Sequence, residues 1–383
     1  MPRSAAIVLT MALGVWSITC ATPDRASTPT VLPSQSDATP KHVTVDACIT
    51  AMPADWDRAF GGGTTMPEGM RFGLGNPTIA GTTVFGQYNT ATSSGIARLD
   101  LSTGRVEKLV AFPPNASGTA SIAASPPWLA WTVGNAKENV FDWTVMAMNL
   151  ETGETLALAK SRGADGTFLP GQQPVLSLRG STLVWSQALP GPLTQYQSEV
   201  HRYDLGAHRD QLIAKGRVST PAYAADLLIW AERGGDGSYA FHVVDAETLA
   251  PKEIPAVLRD PGSIIFLGGD AKHFAWTAEG LLQVNVWRVG ANERRTYRAP
   301  DIKHYFQFLQ FAGDYLLWYS GVTSAVLDLR TGALIDVAGS LAGSDDLIVV
   351  EGPVRPRDAK GEVVASRVAA APRSALTQLE CTR

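Results

Sequence analysis

The stretch Leu227-Leu-Ile-Trp230 is one copy of a phrase that recurs along the chain: two or three apolar residues, then tryptophan, then a polar stretch. The clear copies are Trp128-Leu-Ala-Trp131, Leu183-Val-Trp185, Leu228-Ile-Trp230, Phe274-Ala-Trp276 and Leu316-Leu-Trp318. Phe85 and Val350 take the tryptophan position in two weaker copies, and the mean spacing over the seven copies is about 44 residues. A period of roughly 40 to 45 residues is typical of four-stranded β-propeller blades.

A second phrase follows the first in most units. Its copies are Asp100-Leu-Ser-Thr-Gly104, Asn149-Leu-Glu-Thr-Gly153, Asp328-Leu-Arg-Thr-Gly332 and two degenerate forms that begin at Asp204 and Asp245. Aspartate or asparagine at the end of a strand can accept a hydrogen bond from the backbone two residues on, and glycine supplies the positive φ that reverses the chain. The phrase therefore predicts a hairpin between the third and fourth strands of each unit.

Composition agrees with an all-β fold. The 383 residues include 36 Gly and 24 Pro, only 18% are charged, and 45% are hydrophobic, which indicates many turns and a sizeable core. Dividing residues 75–383 by the repeat predicts a single propeller of seven four-stranded blades, with six or eight as the margin. No convincing helical pattern follows the N-terminal apolar stretch.

In these repeats the chain resembles secreted TolB-type and WD40-like β-propellers, in particular propeller lipoproteins of high-GC Gram-positive bacteria. The resemblance implies partner binding as a class of function. The chain departs from the well-known members, since it has neither a Gly-His and Trp-Asp pair in each blade nor the additional α/β domain of TolB-type proteins.

The N-terminus predicts export. Residues 1–19 combine Arg3 with a short apolar stretch and read as a signal peptide. Ser17-Ile-Thr-Cys20 resembles a lipobox and predicts lipidation of Cys20, while signal peptidase I cleavage after Ala21 is the alternative. Residues 20–41 are rich in Ser, Thr and Pro and predict the anchor cysteine followed by a disordered linker. We expect the protein to be attached to the outer face of the cell membrane through the lipid anchor alone, or to be secreted.

Once Cys20 is acylated or removed, two cysteines are left in an oxidising compartment. We expect Cys48 and Cys381 to form a disulfide, with two free thiols as the alternative. Residues 42–74 would then be a latch segment, with the strand at 42–50 lying near residues 376–381 and closing the ring.

Charge and motifs exclude several functions. The net charge of -4 argues against nucleic acid as a partner. The six histidines have no metal-site spacing, and no nucleophile elbow, phosphate loop, dinucleotide fingerprint or EF-hand occurs. We therefore predict no metal, no cofactor and no catalytic residues.

Candidate binding residues come from the long loops, because the connections between second and third strands and between blades share one face of a propeller. The predicted ligand-binding residues are Asp142, Arg162, Asp165, Phe168, Tyr196, Asp301, His304 and Tyr305. Five repeat tryptophans are expected in the core, whereas Trp56, Trp143 and Trp287 break the repeat and are candidates for the surface.

The sequence thus predicts a monomeric, non-enzymatic binding or scaffold protein of the cell envelope that recognises a protein, peptide or glycan. The alternative is a propeller glycosidase or lyase whose site is assembled from several blades. For that alternative, Glu232, Glu279 and Glu351 follow second strands and would lie near one rim, although solvated strand ends explain them as well.

Overall fold

The computed structural model describes residues 39–73, 78–162, 169, 171, 173–189, 197–320, 324–353 and 366–381. Within these residues the fold is all-β, and seven sheets form the seven blades of a propeller, as predicted. Cys20 and the rest of the predicted signal and linker up to residue 38 lie outside the described residues, as do Asp165, Phe168 and Tyr196.

Five short elements precede the first blade. They are strands β1 (Lys41–Asp46) and β2 (Cys48–Ile49), helix α1 (Ala54–Gly61), and strands β3 (Thr64–Thr65) and β4 (Arg71–Phe72). The structure also describes four 3-10 turns, at Ala256–Leu258, Glu279–Leu281, Ile302–His304 and Arg373–Ala375.

The first three blades each contain four consecutive strands. Blade 1 is β5 (Thr78–Ala80), β6 (Thr83–Asn89), β7 (Ser94–Asp100) and β8 (Val106–Ala111). Blade 2 is β9 (Ile122–Ser125), β10 (Trp128–Ala136), β11 (Asn139–Asn149) and β12 (Thr155–Lys160). Blade 3 is β13 (Ser177–Arg179), β14 (Thr182–Ala188), β15 (Ser198–Asp204) and β16 (Arg209–Gly216).

The remaining blades are less uniform. Blade 4 is β17 (Ala222–Ala224), β18 (Leu227–Arg233) and β19 (Tyr239–Asp245). Blade 5 is β20 (Leu267–Gly269), β21 (His273–Ala278), β22 (Gln283–Arg288) and β23 (Glu293–Arg298). Blade 6 is β24 (Gln310–Ala312), β25 (Tyr315–Tyr319), β26 (Ser324–Asp328) and β27 (Ala333–Val337). Blade 7 is β28 (Ser340–Gly343), β29 (Leu347–Pro353) and β30 (Ser366–Pro372).

The strand connections give the propeller two different faces. We call the face with the connections from second to third strands and from blade to blade the loop face, and the opposite face with the tight hairpins the turn face. Each first strand begins at a blade-to-blade connection on the loop face and ends at a hairpin on the turn face. The second strand runs back antiparallel to it.

The N-terminal segment closes the ring along its outer edge. β1 pairs in parallel with β23 of blade 5, β2 pairs in parallel with β27 of blade 6, and β3 pairs with β30 as the fourth strand of blade 7. The chain then enters blade 1, where β4 pairs with β6. The segment expected at 42–50 forms two strands that pair with blades 5 and 6. Its Cys48 lies near residues 376–381, as predicted, through the disulfide and packing with Leu376 and Leu379 rather than through strand pairing.

The predicted disulfide joins Cys48 to Cys381, with the two Cα atoms 5.8 Å apart. It links the segment that closes the ring to the end of the chain. The bond indicates a non-cytoplasmic environment, because disulfides persist in oxidising compartments. No helix in the described part of the chain is long and apolar enough to cross a membrane.

The repeat tryptophans are core residues, as predicted. All five are buried between blades: Trp131, Trp185, Trp230, Trp276 and Trp318. The surface prediction for the three other tryptophans was wrong, because Trp56, Trp143 and Trp287 are 0%, 1% and 2% exposed. Trp143 and Trp287 lie on third strands that also contribute to the packing between blades, and the Trp56 indole donates to the Thr377 carbonyl at 2.9 Å.

The hairpins between third and fourth strands follow the predicted geometry. The Asp100 carboxylate accepts from Ser102 N at 2.8 Å, and the Asn149 amide oxygen accepts from Glu151 N at 2.9 Å. The last position of the turn has positive φ, 76° at Gly153. The degenerate copies keep the conformation without glycine, since His208 has a φ of 51°.

Removing the disulfide should destabilise the fold. Because the bond closes a span of 333 residues, the Cys48→Ser/Cys381→Ser double variant should lose about 2 to 5 kcal/mol in free energy of unfolding. Urea titration measures this loss. Dithiothreitol should lower the midpoint of the wild-type protein to a similar value and leave that of the double variant unchanged. An equal midpoint for the oxidised wild type and the variant would contradict the prediction.

The turn geometry predicts that two substitutions change the free energy of unfolding in opposite directions. A side chain at positive φ costs about 1 to 2 kcal/mol, part of which glycine offsets through its greater entropy when unfolded. His208→Gly, at an exposed position, should therefore raise the free energy of unfolding by about 0.5 to 1 kcal/mol. Gly153→Ala, where a Cβ would meet no atom within 4 Å, should lower it by about 1 kcal/mol. Shifts of the same sign in urea midpoints would refute the strain argument.

Candidate functional site

The central channel has a volume of about 670 Å³ and is lined by the first strands of all seven blades. Most lining residues are small or apolar, and one from each blade illustrates this: Thr78, Ala123, Ser177, Ala222, Gly268, Phe311 and Gly343.

Charged groups line the channel only near its turn face, among the described residues. They are Arg179, Asp270 and Asp345. The Asp270 carboxylate accepts from Lys272 N at 2.7 Å and from His273 N at 2.5 Å, so it fixes its own turn. Arg179 donates to the Ala225 carbonyl. These contacts hold Asp270 and Arg179 to the turns between first and second strands.

On the loop face, two predicted binding residues bind each other. Arg162 and Asp142 form an ion pair with an N–O distance of 3.0 Å, and Asn135 donates to the second carboxylate oxygen of Asp142 at 2.7 Å. The structure therefore uses this pair to join the start of β11 to the residues after β12.

A second predicted group forms a buried bridge. Asp301 Oδ1 lies 2.6 Å from Nδ1 of His304, and Asp336 Oδ1 lies 2.8 Å from Nε2 of the same ring. The His304 contact is the main reason that the pKa of Asp301 lies below its ordinary value. The bridge braces the loop from blade 5 to blade 6 against β27, while Tyr305 beside it is half-buried.

The loop face also carries most of the exposed apolar side chains. Seven large hydrophobic residues of the described chain are exposed, and five of them lie on this face: Phe141, Ile265, Leu282, Ile302 and Tyr319. Ile302 is 77% exposed. The other two, Ile49 and Leu212, lie on outer strands. Isolated apolar residues in loops have no periodicity, so sequence reasoning missed them.

Three of these residues lie on adjoining loops of blades 5 and 6. Ala299 N donates to the Leu282 carbonyl at 2.9 Å, which ties the blade-to-blade loop to the loop before β22. Ser320, which follows Tyr319, donates to the Lys303 carbonyl at 2.8 Å. We call Leu282, Ile302 and Tyr319 the loop patch. Ile265 lies on the same face and lines the channel.

The three acids singled out after second strands do not converge. Glu232 contacts Nε2 of His242 at 2.8 Å in blade 4, Glu279 begins a 3-10 turn in blade 5, and Glu351 lies in blade 7. Each occupies its own blade, so the ring separates them. Within the described residues, no group of three or more potential ligands could hold a metal ion.

Glu351 is the most perturbed of these acids. Burial raises its pKa to about 7, against hydrogen bonds from Ser366 and Ser340 and the charge of Arg71, which lower it. Gly73 packs so closely that a Cβ there would lie 3.1 Å from Cγ of Glu351. The carboxyl group therefore sits at the seam between blade 7 and β4.

Comparison with known proteins supports the architecture. No family model and no curated protein matches the chain. A prolyl endopeptidase structure matches with a TM-score of 0.51 and 17% identity, covering 85% of this chain and 50% of that one. Two weaker matches are the β-propeller domain of the Trilobed protease from Pyrococcus furiosus (TM-score 0.45, 10% identity, 73% and 89% covered) and an oligogalacturonate lyase in complex with manganese (0.43, 14%, 77% and 75%).

The chain thus spans about half the length of the prolyl endopeptidase that it resembles. At this level of identity, the similarity shows the propeller fold alone.

The raised pKa of Glu351 predicts a pH-dependent stability. Between pH 4.5 and about 7, the Glu351 carboxyl is ionised in the unfolded chain and protonated in the folded one. Its contribution to the free energy of unfolding is therefore lost as the pH rises through this range. Glu351→Gln should therefore raise the free energy of unfolding above pH 7 by about 1 to 3 kcal/mol and change it little at pH 4. Urea titrations across this range measure the difference.

The matched control is Glu138→Gln, which changes an exposed glutamate on the loop after β10. It should leave the pH profile of stability unaltered. A Glu351→Gln protein with the wild-type profile would refute the assignment.

Proposed function

We propose that this propeller is an extracytoplasmic binding protein that holds a protein partner on its loop face. The observation that carries the proposal is the loop patch, where three exposed apolar side chains lie on adjoining, hydrogen-bonded loops. Contiguous exposed apolar surface costs free energy in water, and a partner that covers it recovers that cost.

The polar groups around the loop patch support this function. His304, Asp301 and Asp336 bind one another beneath Ile302, and Asp142 is paired with Arg162 across the face. Ionisable groups engaged in this way stabilise loops, and a braced loop loses little entropy when a partner binds. Two of the three side chains in the loop patch, Leu282 and Ile302, are aliphatic, and aliphatic contacts suit a protein surface better than a glycan.

Membrane attachment belongs to the same proposal. We infer that residues 1–19 are a signal peptide and that acylated Cys20 anchors the propeller outside the cytoplasm. The Cys48–Cys381 disulfide supports this compartment. The lipid would then confine the loop face to the vicinity of envelope partners.

Photo-crosslinking tests the proposal. A benzoylphenylalanine at Ile302 should give a discrete protein adduct in the membrane fraction of the source cells, and Tyr319→Ser should weaken that adduct at least fivefold. The matched control carries the probe at Leu212, which is 50% exposed on β16, far from the loop patch. Cys20→Ala should release the protein from the membrane fraction. Equal adducts from positions 302 and 212 would refute the loop patch as the binding surface.

A further inference from the structure

Blade 4 is incomplete among the described blades. Its sheet contains β17, β18 and β19, whereas each of the other six sheets has four or more strands. In place of a fourth strand, the chain makes only an isolated bridge between Val244 and Pro251 and then leaves the sheet. β19 is therefore an open edge over part of its length.

The backbone pattern shows which groups face outward. Gly234 N donates to the Ser238 carbonyl at 2.8 Å and Ala246 N to the Asp226 carbonyl at 2.8 Å, so the even-numbered residues of β19 bond to β18. The odd-numbered residues face outward. Lys252 N covers the Val243 carbonyl at 3.0 Å, which closes the half of the edge near the turn face.

The half near the loop face is uncovered. Tyr239 and Phe241 have outward N–H and C=O groups for which the described chain provides no strand partner. The Phe241 side chain points inward and packs with Val257 and Leu258, so the position is ordered by the core. Unpaired backbone groups on an ordered edge are a template for another strand.

A cavity of about 440 Å³ lies beside this edge. One wall is formed by Arg233, Ser238 and Tyr239 at the junction of β18 and β19, and the other by residues 260–263. The cavity therefore lies between the uncovered half of β19 and the segment that has left the sheet.

The charge at the cavity favours an acidic ligand. The Arg233 guanidinium lies over the Tyr239 ring, 5.7 Å from its centroid, and no carboxylate of the described residues forms an ion pair with it. Asp260, on the opposite wall, acts on Arg294 only through space, and no ion pair joins these two described residues, so a ligand carboxylate is favoured on the Arg233 wall alone. Arg233 is therefore the cation available to a ligand carboxylate, which guanidinium binds well.

We propose that the open edge of β19 binds an extended, acidic peptide segment of a partner, which adds to blade 4 as its fourth strand. The N-terminal segment does the same within the chain, where β1, β2 and β3 add to the outer edges of blades 5, 6 and 7. Main-chain hydrogen bonds to Tyr239 and Phe241 supply affinity, and the carboxylate at Arg233 supplies selectivity. This site is separate from the loop patch.

Synthetic peptides and hydrogen exchange test the proposal on the full chain. The probe is acetyl-Ser-Val-Thr-Val-Ser-Asp amide, and the comparison peptide has lysine in place of aspartate. The acidic peptide should slow exchange of the Tyr239 and Phe241 amides at least tenfold at saturation, and the lysine peptide should bind at least tenfold more weakly. N-methylation of the alternate amides that face β19 should abolish binding.

Arg233→Gln should remove the preference for aspartate over lysine. Arg209→Gln, another exposed arginine, is the matched control and should keep that preference. Ile302→Ser should leave peptide binding intact, so this test is independent of the loop patch.

Several results would overturn the proposal. The first is unchanged exchange at Tyr239 and Phe241 with millimolar acidic peptide. The second is equal binding of the acidic peptide with and without N-methylation of the amides that face β19. The others are the same protection by glucuronate alone and protection by self-association of the protein without peptide.

Discussion

The antiparallel pairing of β3 with β30 is the contact on which the remainder of the molecule depends. Blade 7 obtains its fourth strand from residues near the beginning of the described chain, so the first and last blades are held together by main-chain hydrogen bonds. Without this closure, blades 1 and 7 would each expose an apolar face that neighbouring blades bury elsewhere. The Cys48–Cys381 bond acts on the same junction, because it ties β2 to the end of the chain. Closure in turn fixes the loops that project from each blade.

Repetition explains what the sequence could predict. The tryptophans at a mean spacing of about 44 residues and the Asp-to-Gly turns are local patterns, repeated because each blade solves the same packing problem. The propeller and its blade number followed from them, whereas the disulfide followed from the two cysteines left in an oxidising compartment. Contacts between distant segments were not predictable in this way: β1 pairs with β23 across 252 residues, and Trp56 is buried against the C-terminal segment. The missing strand of blade 4 was hidden because its tryptophan phrase is intact.

The candidate binding residues show the same limit. Loop position alone identified Asp142, Arg162, Asp301 and His304, yet each belongs to a polar contact that joins segments about 20 to 32 residues apart. A polar residue in a loop can face a ligand or another part of the protein, and only the three-dimensional partner distinguishes these uses. The exposed aliphatic residues, in contrast, have no such partner within the protein, since nothing in the described structure covers Ile302. They were invisible to motif searches because an isolated isoleucine has no pattern.

The irregular segment after β19 borders both the open edge of blade 4 and the mouth of the central channel. Where a fourth strand would continue, the chain turns inward, and Val257, Leu258 and Ile264 anchor it in the core of blades 4 and 5. This path leaves the edge of β19 open and carries residues 260–263 to the rim of the cavity. The next residue after Ile264, Ile265, then emerges at the mouth of the channel on the loop face. A single departure from the repeat thus leaves a backbone edge open on the outside of blade 4 and places an apolar side chain at the channel mouth.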